Sequence, residues 1–128
     1  MNDELKSKTL SAEKWLTSND LGIKLGTDID LVTGLVDSWI KDNLIFIIEH
    51  NQHRLIPAYA LDGLSIPIPV IQNVLTIFNG KKSTWAIAAW FASLNGWLGS
   101  ITPIEAISSN PEGITAAAMA EVSSVEHA

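Results

Sequence analysis

The chain contains no cysteine. Disulfides and cysteine-ligated zinc or iron–sulfur sites are therefore excluded, and a reducing compartment, the cytoplasm, is the expected location. It also lacks a long apolar run. A membrane-spanning helix needs roughly 18 to 20 consecutive apolar residues. The nearest stretch, 85–98, is shorter and is interrupted by Ser93 and Asn95, so no membrane association is expected. Residues 1–9 are polar and of mixed charge, without the apolar centre of a secretory signal. Positive charge is scarce. The net charge of −6 argues against a broadly basic nucleic-acid-binding surface and leaves room for a local basic patch.

Reactive groups are equally sparse. The histidines are His50, His53 and His127. The first two fall in a polar turn with no third ligand at suitable spacing, and no metal site is expected. Asp28 and Asp30 form a DxD pair, but carboxylates at a helix start have an ordinary role there. No phosphate-binding glycine loop, nucleophile elbow or HExxH is present. A protein without enzymatic activity and without a cofactor is expected.

What the chain does have is apolar material, 47 % of its 128 residues, enough for a folded core. The patterning predicts a mainly α fold: an N-terminal helix-turn-helix with a β-hairpin wing (1–62), then a C-terminal helical bundle (63–128). Helices are expected over 10–17, with Ser11 as the cap, over 19–25, stopped by Gly26, and over 28–42. In the third, Ile29, Val32, Val36 and Ile40 recur at helical spacing, with Leu35 and Trp39 widening the stripe. Residues 44–48 and 54–56 read as two strands around a polar turn, ended by Pro57. A connector with two prolines and a glycine follows, then helices over 70–78, from 83 or 84 to 94, from 103 to 108, and over 112–122, with a fraying tail.

Residues 18–37 carry the helix-turn-helix pattern. Leu21, Leu25, Val32 and Leu35 take its apolar positions. Gly22 stands where two helices cross closely, and Gly26 where positive φ is required. DNA reading is a separate property. Candidate contacts are Lys24, Thr33, Lys41 and, on the wing, Arg54. Against them stand Asp28, Asp30 and Asp37, because base readout favours Arg, Lys, Asn or Gln at the start of the recognition helix. The same three helices would serve equally as a packing scaffold or a protein-docking face.

The C-terminal half is rich in tryptophan. Residues 86–92 form an unbroken apolar run with no polar face, more than so small a chain is expected to enclose. The expectation is a homo-oligomer interface or a partner groove, with internal core as the plain alternative. Ala116, Ala117, Ala118 and Ala120 permit close helix approach, or simply favour a helix.

Trp90, Leu94-Asn95, Leu98-Gly99, Thr102-Pro103-Ile104-Glu105 and Ile107 together resemble the C-terminal toxin-binding domain of the Xre/MbcA/ParS antitoxins. The resemblance covers about 70–122. Ser100 stands where a second glycine is common, and Leu94 where a proline is common. The N-terminal unit differs from the larger Xre DNA-binding domain. The resemblance implies a protein that binds and occludes a RES-domain toxin that consumes NAD, forms a homo-oligomer and represses its own operon. Partner contacts would come from Trp85, Trp90, Phe91, Trp97, Leu98, Pro103, Ile104, Glu105 and Ile107. Two other functions fit the residues: a stand-alone DNA-binding transcriptional regulator, and a structural protein that only self-assembles.

Overall fold

The computed structural model describes the backbone of residues 2–127 and the side chains of residues 2–124. It is mainly helical, with one small antiparallel sheet. The elements run α1 (Asp3–Ser11), β1 (Trp15–Leu16), α2 (Ser18–Leu25), α3 (Ile29–Lys41), β2 (Ile48–His50), β3 (His53–Pro57), α4 (Pro69–Phe78), α5 (Thr84–Phe91), α6 (Pro103–Ala106) and α7 (Pro111–His127). Short 3-10 turns occupy Ala58–Ala60 and Gly96–Leu98.

The first helix lies earlier than the sequence pattern suggested. Asn2 caps it by accepting from the Leu5 amide (2.8 Å). Asp3 and Glu4 at its start and Lys8 near its end match the helix dipole. Ser11, expected to start a helix, is the last residue of this one. Trp15 and Leu16, expected to be helical, form β1 instead. They pair with Pro57 and Ile56 on the edge of β3 away from β2, which buries Leu16 and half-buries Trp15.

The next two helices stand close to expectation. Thr17 and Asp20 form a reciprocal capping box at α2, and Gly26 ends it with φ 66°. At Gly22 an added Cβ would lie 3.2 Å from the Thr27 carbonyl oxygen, which would have to give by a few tenths of an ångström, and at ordinary contact distance, 3.5 Å, from Val32 Cγ2 on α3. Asp28 caps α3 through the Leu31 amide (3.0 Å). Val32 and Val36 are fully buried, whereas Ile29 and Leu35 of the expected stripe are exposed.

The hairpin is shorter and tighter than expected. β2 begins only at Ile48, and its turn is the two residues Asn51 and Gln52, both at positive φ, as a two-residue hairpin of the primed type requires. Residues 44–47 are not a strand. Ile45 and Phe46 are consecutive and both buried, which an alternating strand with one wet face does not provide. The sheet order is β1-β3-β2. Arg54 Nη2 crosses from β3 to Asp37 Oδ1 on α3 at 2.9 Å.

In the second half, Pro69 occupies the first turn of α4, where its missing N–H costs nothing. Helix α4 packs along α7, and α1 packs on α5. That last contact changes the expectation for the apolar run. Ile87, Ala88, Trp90 and Phe91 are buried by the protein's own chain. Helix α1 covers one side, with Lys6 Nζ 5.0 Å from the centre of the Trp85 ring, while Phe46, Tyr59 and Phe78 lie against Phe91 and Trp90. Once α1 is placed before residue 12, a cover exists that the run alone did not reveal. Helix α5 also stops at Phe91, not 94, and α6 at Ala106, not 108. Helix α7 continues past Val122 to His127, whose side chain is outside the described residues. One cluster of buried side chains runs from Leu16 to Ala118.

Candidate functional site

The site begins where α5 ends. Ser93 Oγ donates to the Ala89 carbonyl at 2.6 Å, turning the hydroxyl back onto the last helical turn. Asn95 then leaves the helix in extended geometry and organises the loop that follows. Its amide donates to Ile101 O (2.9 Å), and its carbonyl accepts from Leu98 N and Ser100 N (3.0 Å each). Its side-chain Oδ1 accepts from Trp97 N at 2.9 Å. Gly99 and Ser100 close the turn, both left-handed, at φ 75° and 64°.

This closed loop drives Leu98 into the core and holds Trp97 outside, with 73 % of its surface exposed. Leu94, before the loop, is equally exposed. The two stand at the edge of a groove of about 570 Å³ between α5 and α7. Its more buried lining comes from Ala86, Ala89 and Trp90 on one side and Ala117 and Ala120 on the other. One end holds the Lys82–Glu121 ion pair (3.1 Å), whose charges are satisfied by each other. The arrangement is a cleft with an apolar floor, a polar rim of Lys82, Ser93, Asn95, Glu121 and Ser124, and an exposed aromatic at its edge. It can bind by contact.

The nine residues expected to touch a partner fall in different environments. Trp90, Phe91, Leu98 and Pro103 are buried, and Trp85, Ile104 and Ile107 are half-buried. Glu105 is exposed, but its carboxylate accepts from Thr102 N (3.2 Å) and Thr102 Oγ1 (3.1 Å) in the capping box of α6. Trp97 alone of the nine is both exposed and without a side-chain hydrogen bond or ring contact among the described residues. Leu94 also lines the groove, although the sequence pattern predicts a helix continuing through it. Its apolar character beside the Asn95-Gly96 break was the available signal.

The four candidate DNA contacts are also dispersed. Lys24 is exposed on α2, and Lys41 lies at the far end of α3. The Thr33 hydroxyl donates to Ile29 O at 2.8 Å, and Arg54 is held by Asp37. His50 and His53 face each other across the hairpin, and His50 lies edge-on to Trp85 at 6.1 Å. Among the described residues, no three or more His, Cys, Asp or Glu side chains are grouped to hold a metal ion. No described helix is long and apolar enough to cross a membrane.

Among the described residues, two ionisable groups depart from their usual range. The Asp20 carboxyl is lowered by the bonds it accepts in its cap, first from the Thr17 backbone and then from its side chain. Burial, and then the charge of Glu13, push the Tyr59 phenol upward; its hydroxyl is enclosed without a hydrogen-bond partner. Neither group lines the groove. Comparison with protein-family models, curated proteins and solved structures returns no match.

Proposed function

We propose that this protein is a regulator of the antitoxin type, which captures a partner protein at the groove between α5 and α7 and blocks it by occlusion. The observation that carries the reading is Trp97. A large aromatic side chain left in water is unfavourable for the isolated fold. Here it is held there by a loop whose backbone is bonded at Asn95, Leu98 and Ser100. A partner meets an anchor whose loop is already ordered, so little further conformational entropy is lost on binding. Tryptophan is prominent among the residues that dominate protein interfaces.

The resemblance to the Xre/MbcA/ParS toxin-binding domain points the same way. Its second glycine falls on Ser100, which is left-handed here, the conformation a glycine adopts at no steric cost. By that resemblance the partner is a RES-domain toxin that consumes NAD, and the protein forms a homo-oligomer. The N-terminal unit fits a winged helix: α1, β1, α2, α3 and a hairpin, with β3 central in the sheet. That fold does not by itself supply operator binding. Of its four candidate contacts, Thr33 and Arg54 are engaged within the protein.

The test is co-purification of tagged wild-type protein and Trp97→Ala from the native cells, with a RES-domain product of an adjacent gene as the partner sought and its consumption of NAD as the readout. The reading expects stoichiometric retention and silenced NAD consumption with the wild type. It expects at least a tenfold weaker complex with Trp97→Ala at an unchanged melting temperature. Equal retention by the variant, or a partner that goes on consuming NAD in the complex, overturns it.

A further inference from the structure

Asparagine precedes glycine at two places in the chain, Asn79-Gly80 and Asn95-Gly96. This dipeptide is open to attack on its own side chain, because glycine has no Cβ to shield its backbone nitrogen. Reaction requires that nitrogen and the asparagine Cγ to meet by rotation of the peptide plane between the two residues. Its rate is therefore governed by how firmly that plane and the side chain are held.

The starting conformations do not separate the two sites, since ψ is 123° at Asn79 and 120° at Asn95. Their restraints do. The Asn95 carbonyl accepts from Leu98 N and Ser100 N, and its Oδ1 accepts from Trp97 N. Both the 95–96 peptide plane and the side-chain amide are pinned. Asn79 caps the end of α4, is exposed, and is followed by Gly80 at φ 72°. Among the described residues, the Asn79 carbonyl, its side-chain amide and the Gly80 N–H make no hydrogen bond. The passage from α4 to α5 is closed on either side of that plane. Asn79 N donates to Thr76 O (3.4 Å), and Lys81 N and Lys82 N donate to Phe78 O (2.9 and 3.3 Å). The 79–80 plane can turn while the connection holds.

We infer that Asn79 is a site of self-modification, deamidating through attack by its own chain while Asn95 is protected by the fold. The Gly80 nitrogen gives its proton to solvent and attacks Asn79 Cγ. The new N–Cγ bond forms, the bond from Cγ to the side-chain nitrogen breaks, and ammonia leaves with a proton taken back from solvent. Water then opens the cyclic imide at either carbonyl, giving aspartate or isoaspartate. The product carries a carboxylate at the C-terminal end of α4, where the helix dipole disfavours negative charge. It also lies in a pocket wall shared with Lys82, whose ion pair with Glu121 stands at one end of the α5–α7 groove. The inference does not depend on what that groove binds.

The full chain is held at mildly alkaline pH, folded and in urea. Fragment mass spectrometry follows the amide-to-acid change at each asparagine, and released ammonia is measured in parallel. In the folded protein Asn79 is expected to convert at least tenfold faster than Asn95. In urea, where both are followed by glycine and neither is held, the two rates should converge. Asn79→Gln, at an exposed position and with a longer side chain that cyclises poorly, should fold and lose the fast phase of ammonia release. Comparable rates in the folded protein, a faster Asn95, an Asn79 that converts only in urea, a tenfold gap that survives in urea, or a fast phase that persists in Asn79→Gln would each overturn the inference.

Discussion

The ring of Phe46 stacks on that of Phe91, centroids 6.1 Å apart and planes 16° from parallel. Phe46 comes from the segment between α3 and β2, and Phe91 is the last residue of α5. The contact ties the N-terminal sheet-and-helix unit to the tryptophan-rich helix, and Tyr59 completes it at 5.2 Å from Phe91.

Truncation at this contact is therefore expected to act on both halves. Phe91 is fully buried, and Phe91→Ala should cost about 3–5 kcal/mol. Loss of helix, followed by circular dichroism, and loss of tryptophan burial, followed by fluorescence, should keep a common midpoint as both shift. Two separated transitions would mean that the stacked pair does not couple the halves.

The loop that presents Trp97 makes a prediction of opposite sign at two adjacent residues. Ser100 sits at φ 64° with a side chain, and relieving it with Ser100→Gly should stabilise the protein by up to about 1 kcal/mol. Gly99, at φ 75°, has no side chain to strain, and Gly99→Ala should destabilise by about 1 kcal/mol. Urea denaturation of the two variants checks both signs.

The α2 capping box predicts an acid-dependent effect. The Asp20 carboxyl is held below its ordinary value of 3.8 by the bonds it accepts from Thr17. A depressed acid contributes stability above its unfolded-state value and loses it as pH falls through the folded value. The stability gap between wild type and Asp20→Asn should thus be constant near neutrality and close only in acid, below about pH 4. Thr17→Ala, which removes the other half of the box, should cost about 1 kcal/mol at neutral pH. Thermal melts across the acid range measure both.

Local signals in the chain located α2 and α3 well. Gly26 and Asp28 act through their own backbone, so their effect is visible in a short window. Pro103 marks a helix start for the same reason. The first helix was misplaced because Trp15 and Leu16 are apolar for a partner about forty residues away, on β3. The fate of the 86–92 run was hidden by that same error, since α1 is what covers it. The resemblance pointed to the segment that carries the candidate site. It could not separate Trp97 from Trp90, because both are tryptophans in one short stretch and only the Asn95-bonded loop turns one of them outward.

That division among tryptophans has an optical consequence. Of the five indoles, Trp90 is buried, Trp15, Trp39 and Trp85 are half-buried, and Trp97 stands in solvent. A soluble quencher should therefore extinguish the red edge of the emission first, and that edge belongs chiefly to Trp97. Any molecule that covers the α5–α7 groove shields the same indole and moves the spectrum to the blue. The protein thus carries its own dye at the surface that matters most to its proposed role, and occupancy of the groove can be read without a label.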